Sequence, residues 1–177
     1  MILTMKVILD MVISPNGFIA RENGDEDWLP GEGWDDFVIE AKGHNNVVMG
    51  RETYEQVTAK YEDYNFDNVD VDYKLIVTRN TDFRAPEGYI IVHSPEEAID
   101  YLEKVGIDSL FLIGGGILNT EFIKRKLVTQ IQLTLTPYII GKGRPFLVTD
   151  EYELGMSLVS VTRLSLGRVR LVYTVNK

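Results

Sequence analysis

The sequence contains no cysteine, which excludes disulfides and thiolate metal sites. Histidine occurs only at positions 44 and 93, far apart and in no ligand-spaced motif, so no metal centre is expected. Positive charge is scarce. Lys and Arg number 18 against 27 Asp and Glu, a net charge of −9, which repels nucleic acid unless a local basic patch is hidden. No apolar run reaches the roughly 18 residues of a membrane helix. The opening stretch MILTMKVILDMVIS has no basic leader, carries Asp10 in mid-run and shows no small-residue cleavage site. A soluble cytoplasmic protein is expected. There is no P-loop, no G-x-S-x-G and no Ser-His-Asp pattern, and Asp70 and Asp72 lack the Gly and closing Glu of a calcium loop.

What remains is an ordinary globular balance, 45% hydrophobic and 25% charged over 177 residues, enough for one domain with a real core. Val7, Leu9, Met11 and Ile13 alternate with Ile8, Asp10 and Val12, so both faces are mostly apolar, as in a strand covered on both sides. Ser14-Pro15-Asn16-Gly17 turns the chain, and a polar loop runs from Arg21 to about Gly33. Trp34, Phe37, Val38 and Ala41 make a helical stripe that Gly43 is placed to end. Asn46 to Met49 reads as a buried strand, followed by Gly50 and a helix with Tyr54, Val57 and Tyr61 on one side. The acidic stretch from Glu62 to Asp72 reads as an exposed excursion. Strands are expected over Tyr73–Thr78 and Tyr89–Val92, and Ser94-Pro95-Glu96-Glu97 is a capping box opening a helix with Ala98, Ile99, Leu102 and Val105 inward. Ser109 to Ile113 is an apolar strand leading into Gly114-Gly115-Gly116 and another helix; Thr129 to Ile140 and two strands around Gly167 complete the chain. Helices between strands imply right-handed crossovers and a mostly parallel sheet with an antiparallel C-terminal edge. The fold class is α/β, and such sheets bind ligands beyond the carboxyl ends of their strands.

Four local patterns carry chemistry. Gly114-Gly115-Gly116-Ile117-Leu118-Asn119 joins a buried strand to a helix, leaving backbone free to approach a bulky ligand and N–H groups free for a phosphate. Asn119 occupies the place of the third glycine of a Rossmann fingerprint, and a merely tight turn remains the other reading. Gly50-Arg51-Glu52-Thr53 is again strand, glycine, helix start. A cation in the first turn opposes the helix dipole unless an anion is bound, though Arg51 could equally be a solvated surface group. Thr78-Arg79 at a strand end suits a phosphate monoester, against an ordinary loop arginine. Asp10 within the first strand is costly to bury alone, so it is either a site acid with a raised pKa or the partner of a lysine or backbone amide. Asp27 beside Trp28, and the pair Asp35 and Asp36, are weaker acid candidates.

In order and spacing, these segments resemble the dihydrofolate reductase fold, most of all the reductase domain of riboflavin-biosynthesis deaminase-reductases and its free-standing relatives. The residues that carry the resemblance are Ile13–Ala20 (ISPNGFIA), Gly24–Leu29 (GDEDWL), Gly50–Glu55 (GRETYE), Ile113–Asn119 (IGGGILN) with Leu127-Val128, Thr136-Pro137-Tyr138, and Gly141–Phe146 (GKGRPF). They span nearly the whole chain. The resemblance implies a three-layer sandwich in a single reductase domain, a homodimer, and hydride transfer from NADPH to a small heterocycle, as in the reduction of 5-amino-6-(5-phosphoribosylamino)uracil or of a pterin. It implies a dinucleotide held by Gly50, Arg51, Thr53, Thr78, Arg79, Ser94, Gly114, Gly115, Gly116, Ile117 and Leu118. Arg51, Thr78 and Arg79 would face the adenosine 2′-phosphate, Ser94 the adenine, and Gly114–Gly115 would be a cis peptide. Asp10, Trp28 and Phe37 are then the substrate-side residues, and Asp10 and Asp27 the catalytic candidates, with Asp27 or water delivering the proton.

Three departures bear on the substrate. Asp10 stands about where the riboflavin-pathway enzymes have a substrate-binding lysine, Asn16 replaces the usual Asp of S-L-D-G, and Trp34 falls near the place of the helix carboxylate of dihydrofolate reductases. A phosphorylated substrate is disfavoured beside Asp10; a neutral or basic heterocycle with N–H donors suits it. A second function class is a cofactor-binding regulatory or scavenging module that turns nothing over, and a third is a structural subunit with no ligand.

Overall fold

The first strand, β1 (Lys6–Ile13), is apolar on both faces because both faces are covered. In the computed structural model, which describes residues 5–62 and 64–176, it lies inside a sheet of eight strands. The first four residues of the leader-like opening stretch, and Asp63 in the acidic excursion, fall outside the described residues.

The elements follow as β2 (Phe18–Arg21), α1 (Glu32–His44), β3 (Asn46–Gly50), α2 (Arg51–Lys60), a 3-10 turn (Phe66–Asn68), β4 (Tyr73–Val77), β5 (Tyr89–Val92), α3 (Pro95–Lys104), β6 (Ser109–Leu112), α4 (Gly116–Lys124), β7 (Gln130–Leu135), β8 (Gly143–Pro145), β9 (Met156–Arg163) and β10 (Val169–Val175). The sheet order is β5-β4-β3-β6-β1-β7-β10-β9. The first six strands run parallel, and the β9–β10 hairpin adds the antiparallel edge. One face packs under α1 and α2 through Ala41, Tyr54 and Val57 against Ile8, Met49 and Phe111. The other packs under α3 and α4 through Leu102, Phe122 and Ile123 against Leu9, Val48 and Leu110. This is the expected mixed sheet with helices on both faces.

The differences from the sequence reading have local causes. Gly43 lies inside α1; the helix ends at Asn45, whose φ of 55° is the left-handed conformation asparagine tolerates. Ser94 Oγ does accept the Glu97 N–H at 3.1 Å, but the Glu97 carboxylate accepts the N–H of His93 (2.7 Å) rather than that of Ser94. Val105 is at the helix end and 38% exposed, not inward. The acidic excursion is anchored by Phe66 and Val69, both buried in the α1–α2 core. The strand expected to reach Ile140 ends at Leu135. The polar loop expected from Arg21 is preceded by β2, which pairs with β8 in a second, two-stranded sheet.

Candidate functional site

The carboxyl ends of β3 and β6 each run through glycine into a helix. Gly50 is the N-cap of α2 and Gly115 the N-cap of α4, and neither helix start has a side-chain cap, whereas Ser94 caps α3. The first-turn N–H groups of α2 and α4 are therefore available to a ligand. The Gly50 N–H donates to the Gly114 carbonyl at 2.8 Å, which ties the two turns together. Gly114–Gly115 is cis, and Gly114 has a φ of 99°. A Cβ on Gly115 would stand 3.0 Å from Thr53 Oγ1, and one on Gly116 would run into the Pro145 carbonyl oxygen.

These turns open onto a groove of about 660 Å3 lined by Gly50, Arg51, Thr53, Arg79, Gly115, Gly116, Ile117 and Leu118. The structure thus brings together both arginines and the glycine turns. Three expected residues stand back from the groove wall. Gly114 is turned toward Met11. Thr78 is buried and its hydroxyl accepts the Asn80 N–H (3.1 Å), and the Ser94 hydroxyl is used as a helix cap. Sequence reasoning missed His93, Arg125 and Arg144, which also line it. Arg125 lies at the far end of α4 from the glycines, and Arg144 sits in the G-K-G-R-P-F segment, which carries no strand-to-helix signal.

Three of the groove arginines are held by carboxylates, and Arg144 Nε instead donates to the Glu22 carbonyl at 3.3 Å. Arg51 Nη1 meets Glu55 at 3.1 Å, and Arg79 and Arg125 both meet Glu121 at 3.2 Å. Pairs this exposed contribute about 0–1 kcal/mol each, so a phosphate can displace them. Two uncapped helix starts, missing side chains and four arginines on a protein of net charge −9 fit an anionic dinucleotide.

The groove shares a wall with a smaller cavity of about 200 Å3. Met11, Ile19, Glu26, Thr53, Val57, Tyr61 and Ile113 line both. The inner cavity adds Asp10, Leu29, Trp34, Phe37, Tyr64 and Phe66, and no Lys, Arg or His stands in its wall among the described residues. Asp10 is 9% exposed, and its Oδ1 has no hydrogen-bond partner among the described residues. Burial pushes its pKa up to about 7, against the pull of the Arg170 cation and with a smaller push from Glu40. Asp10 thus faces the cavity with a free oxygen, and no lysine pairs with it among the described residues.

Phe37 lines this cavity, but two other expected residues, in the preceding loop, do not. Asp27 points outward, 61% exposed and bonded to Arg21 Nε at 2.6 Å. Trp28 is buried outside the cavity wall and stacks on Tyr138 at 5.9 Å. Their neighbour Glu26 is the residue that faces inward. Its pKa is pushed up by burial to about 7, against the pull of Lys60. A loop has no periodicity, so nothing in the run Asp25-Glu26-Asp27 says which carboxyl turns in. Asp36, a weak candidate, instead pairs at 3.0 Å with Arg168, whose side chain is only 2% exposed.

Comparison with known proteins agrees with this architecture. Residues 5–169 match the family model of the RibD C-terminal domain. The uncharacterized protein YyaP of Bacillus subtilis is 26% identical over 97% of this chain and 95% of its own length. A pyrimidine reductase-like protein from Corynebacterium diphtheriae superposes with a TM-score of 0.78 at 13% identity, covering 99% of this chain and 94% of the other. Dihydrofolate reductase from Enterococcus faecalis, in complex with NADP(H) and RAB-propyl, superposes with a TM-score of 0.72 at 18% identity, covering 99% of each chain. At such identities the solved structures speak for the fold, which is dihydrofolate reductase-like. On the family match across nearly its whole length, this chain belongs to the RibD C-terminal domain family.

Proposed function

We propose that this protein is an NADPH-dependent reductase, a single domain acting on a small pyrimidine- or pterin-like heterocycle that carries no phosphate. The observation behind this reading is that an arginine-lined groove with two free helix starts shares a wall with a ring-sized cavity containing Asp10. The family membership and the NADP(H) complex of the Enterococcus enzyme support it.

Gly50, Thr53, Gly115, Gly116, Ile117 and Leu118 would hold the dinucleotide, with Arg51 and Arg79 on its phosphates. When bound, the cofactor supplies a hydride, and the protein supplies position and electrostatics. The walls of the inner cavity exclude water from the ring, with Trp34, Phe37 and Phe66 packed around it. The free Oδ1 of Asp10 accepts a ring or exocyclic N–H, which gives that buried atom the partner it lacks in the protein. The absence of any basic side chain from the described wall disfavours a phosphoribosyl group there.

The direct test is NADPH binding, read by quenching of tryptophan fluorescence, followed by loss of reduced-nicotinamide absorbance with 7,8-dihydropterin and with a diaminopyrimidinone as probe substrates. Saturable binding and turnover of either probe are expected. Binding without turnover of any ring tried would favour the regulatory or scavenging module, and no binding would end both readings. A homodimer and a cytoplasmic setting complete the proposal; sedimentation at micromolar concentration checks the first. Among the described residues, no helix is long and apolar enough to cross a membrane.

A further inference from the structure

Of the described residues that line both the groove and the inner cavity, only one carries a carboxyl group. The shared wall consists of Met11, Ile19, Glu26, Thr53, Val57, Tyr61 and Ile113, and Asp10 lies in the inner cavity alone. Glu26 is held there at its own backbone and through the residues just before it. Its own N–H donates to the Tyr61 hydroxyl at 2.9 Å. The adjacent Asp25 is clamped to Lys60 Nζ at 2.5 Å, and the same ammonium donates to the Asn23 carbonyl at 3.0 Å. The loop is thus pinned to the end of α2 at Glu26 and just before it, while the Glu26 carboxyl has no hydrogen-bond partner among the described residues.

We propose that Glu26 is the acid that protonates the heterocycle, acting from the wall between the dinucleotide groove and the ring cavity. This rests on the reductase reading and adds to it a catalytic residue. In the reduction of a C=N bond, the carbon gains the hydride, and the π electron pair is left on nitrogen. That pair takes the proton of Glu26, so the Glu26 O–H bond breaks and the ring N–H bond forms. The ring is reduced, the dinucleotide is oxidised, and Glu26 is left as a carboxylate. It regains its proton from water through the groove, to which it is partly accessible. The net consumption is one proton per turnover.

The surroundings suit an acid that is protonated at neutral pH and can lose its proton. Lys60 and Tyr61 stand at the end of α2, Arg51 and Glu52 at its start, and Arg144 on β8. Asp10 faces the same inner cavity from β1, and Asp25 and Asp27 flank Glu26 in the loop but are paired elsewhere. Burial raises Glu26 to about 7, with Lys60 opposing, which places it where a general acid is most effective. Asp10 keeps the complementary task of accepting a substrate N–H.

The test follows the carbon-13 carboxyl resonances of glutamate through a pH titration, in wild type, Glu26→Gln and Glu26→Asp, with and without NADPH. One glutamate is expected to titrate near 7, to vanish in Glu26→Gln and to move upward when NADPH binds beside it. By the same coupling, Glu26→Gln should bind NADPH at least as tightly as wild type, and more tightly above neutral pH. With 7,8-dihydropterin, turnover should fall by about 10²–10⁴-fold and lose its decline above neutral pH. Glu26→Asp should keep that decline at reduced rate. A Glu26 resonance that titrates in the ordinary carboxylate range, or ignores bound NADPH, overturns the proposal even if no substrate turns over. Undiminished turnover in Glu26→Gln does the same. Failure of NADPH to bind wild type is a different result, and it removes the reductase reading itself.

Discussion

Arg170 on β10 and Glu40 on α1 meet at 2.6 Å, Nη1 to Oε1, and the two act on Asp10 with opposite signs. The guanidinium draws the Asp10 pKa down against the larger effect of burial, and the Glu40 carboxylate adds a smaller push upward. Asp10 is therefore tuned by a pair that belongs to the α1 side of the sheet and lines neither cavity.

Breaking that pair from either end should move Asp10 in opposite directions. Arg170→Met should raise its titration above about 7, and Glu40→Gln should lower it, both read from aspartate carbon-13 shifts. Arg170→Met also leaves Glu40 half-buried and unpaired, which should cost about 1–3 kcal/mol in urea unfolding. Movement of Asp10 in the same direction in both variants would show that packing, not charge, sets its pKa.

Two glycines on the groove separate a role in folding from one in binding. At Gly50 the nearest atoms to an added Cβ are 3.8 Å away and φ is −77°, so alanine fits the protein. Gly50→Ala should leave stability unchanged or raise it by about 0.4–1 kcal/mol, while weakening NADPH binding because the methyl takes space from the ligand. At Gly116 the Cβ would meet the Pro145 carbonyl, which is backbone and cannot swing away. Gly116→Ala should lose about 1–3 kcal/mol and disturb β8. Unfolding curves and fluorescence titrations on the two variants read both outcomes.

Arg79 is 79% exposed, and its bond to Glu121 is a surface pair. Arg79→Ala should change stability by no more than about 0.5 kcal/mol. If the guanidinium meets the 2′-phosphate, NADPH affinity should fall by about 10–100-fold and NADH affinity should hold. The wild-type preference for NADPH should also shrink as salt rises, since an exposed ion pair is screened. Equal losses for both cofactors would move Arg79 away from the 2′-phosphate.

Much of this was legible in the sequence, and the parts that were not share a physical reason. β1 announced a two-sided strand through its apolar alternation, and the glycines after β3 and β6 marked the helix starts that open on the groove. The small β2–β8 sheet was hidden because four and three residues are too short for a period, and Pro145 argues against a strand. Thr78 and Ser94 looked like ligand hydroxyls, but short polar side chains bond first to nearby backbone, and here both do. Arg125 and Arg144 reach the groove only through tertiary folding. Asp27 is the loop acid the sequence reading names and Glu26 goes unnamed, because a loop offers no facing rule; the pins at Lys60, Tyr61 and Arg21 decide which carboxyl turns in.

Two carboxyls with raised pKa values fix the direction of the pH dependence of stability. Below about pH 4 both Asp10 and Glu26 are protonated in the folded and the unfolded chain, and neither contributes a difference. As pH climbs from about 4 to about 7, the unfolded chain releases these protons while the folded protein retains them. The folded state then binds more protons, so stability must fall across this window and level off above it. For Asp10 the full interval corresponds to at most about 4 kcal/mol. Asp10→Asn mimics the protonated form, so it should match wild type at pH 4 and exceed it at pH 8 by at least about 1 kcal/mol in urea unfolding. Glu26→Gln should act in the same sense, and the double variant should fall short of the sum because both groups face one cavity. Wild-type and variant stabilities that run parallel from pH 4 to 8 would mean that neither carboxyl is held protonated, and the inner cavity would then be a site for a cation.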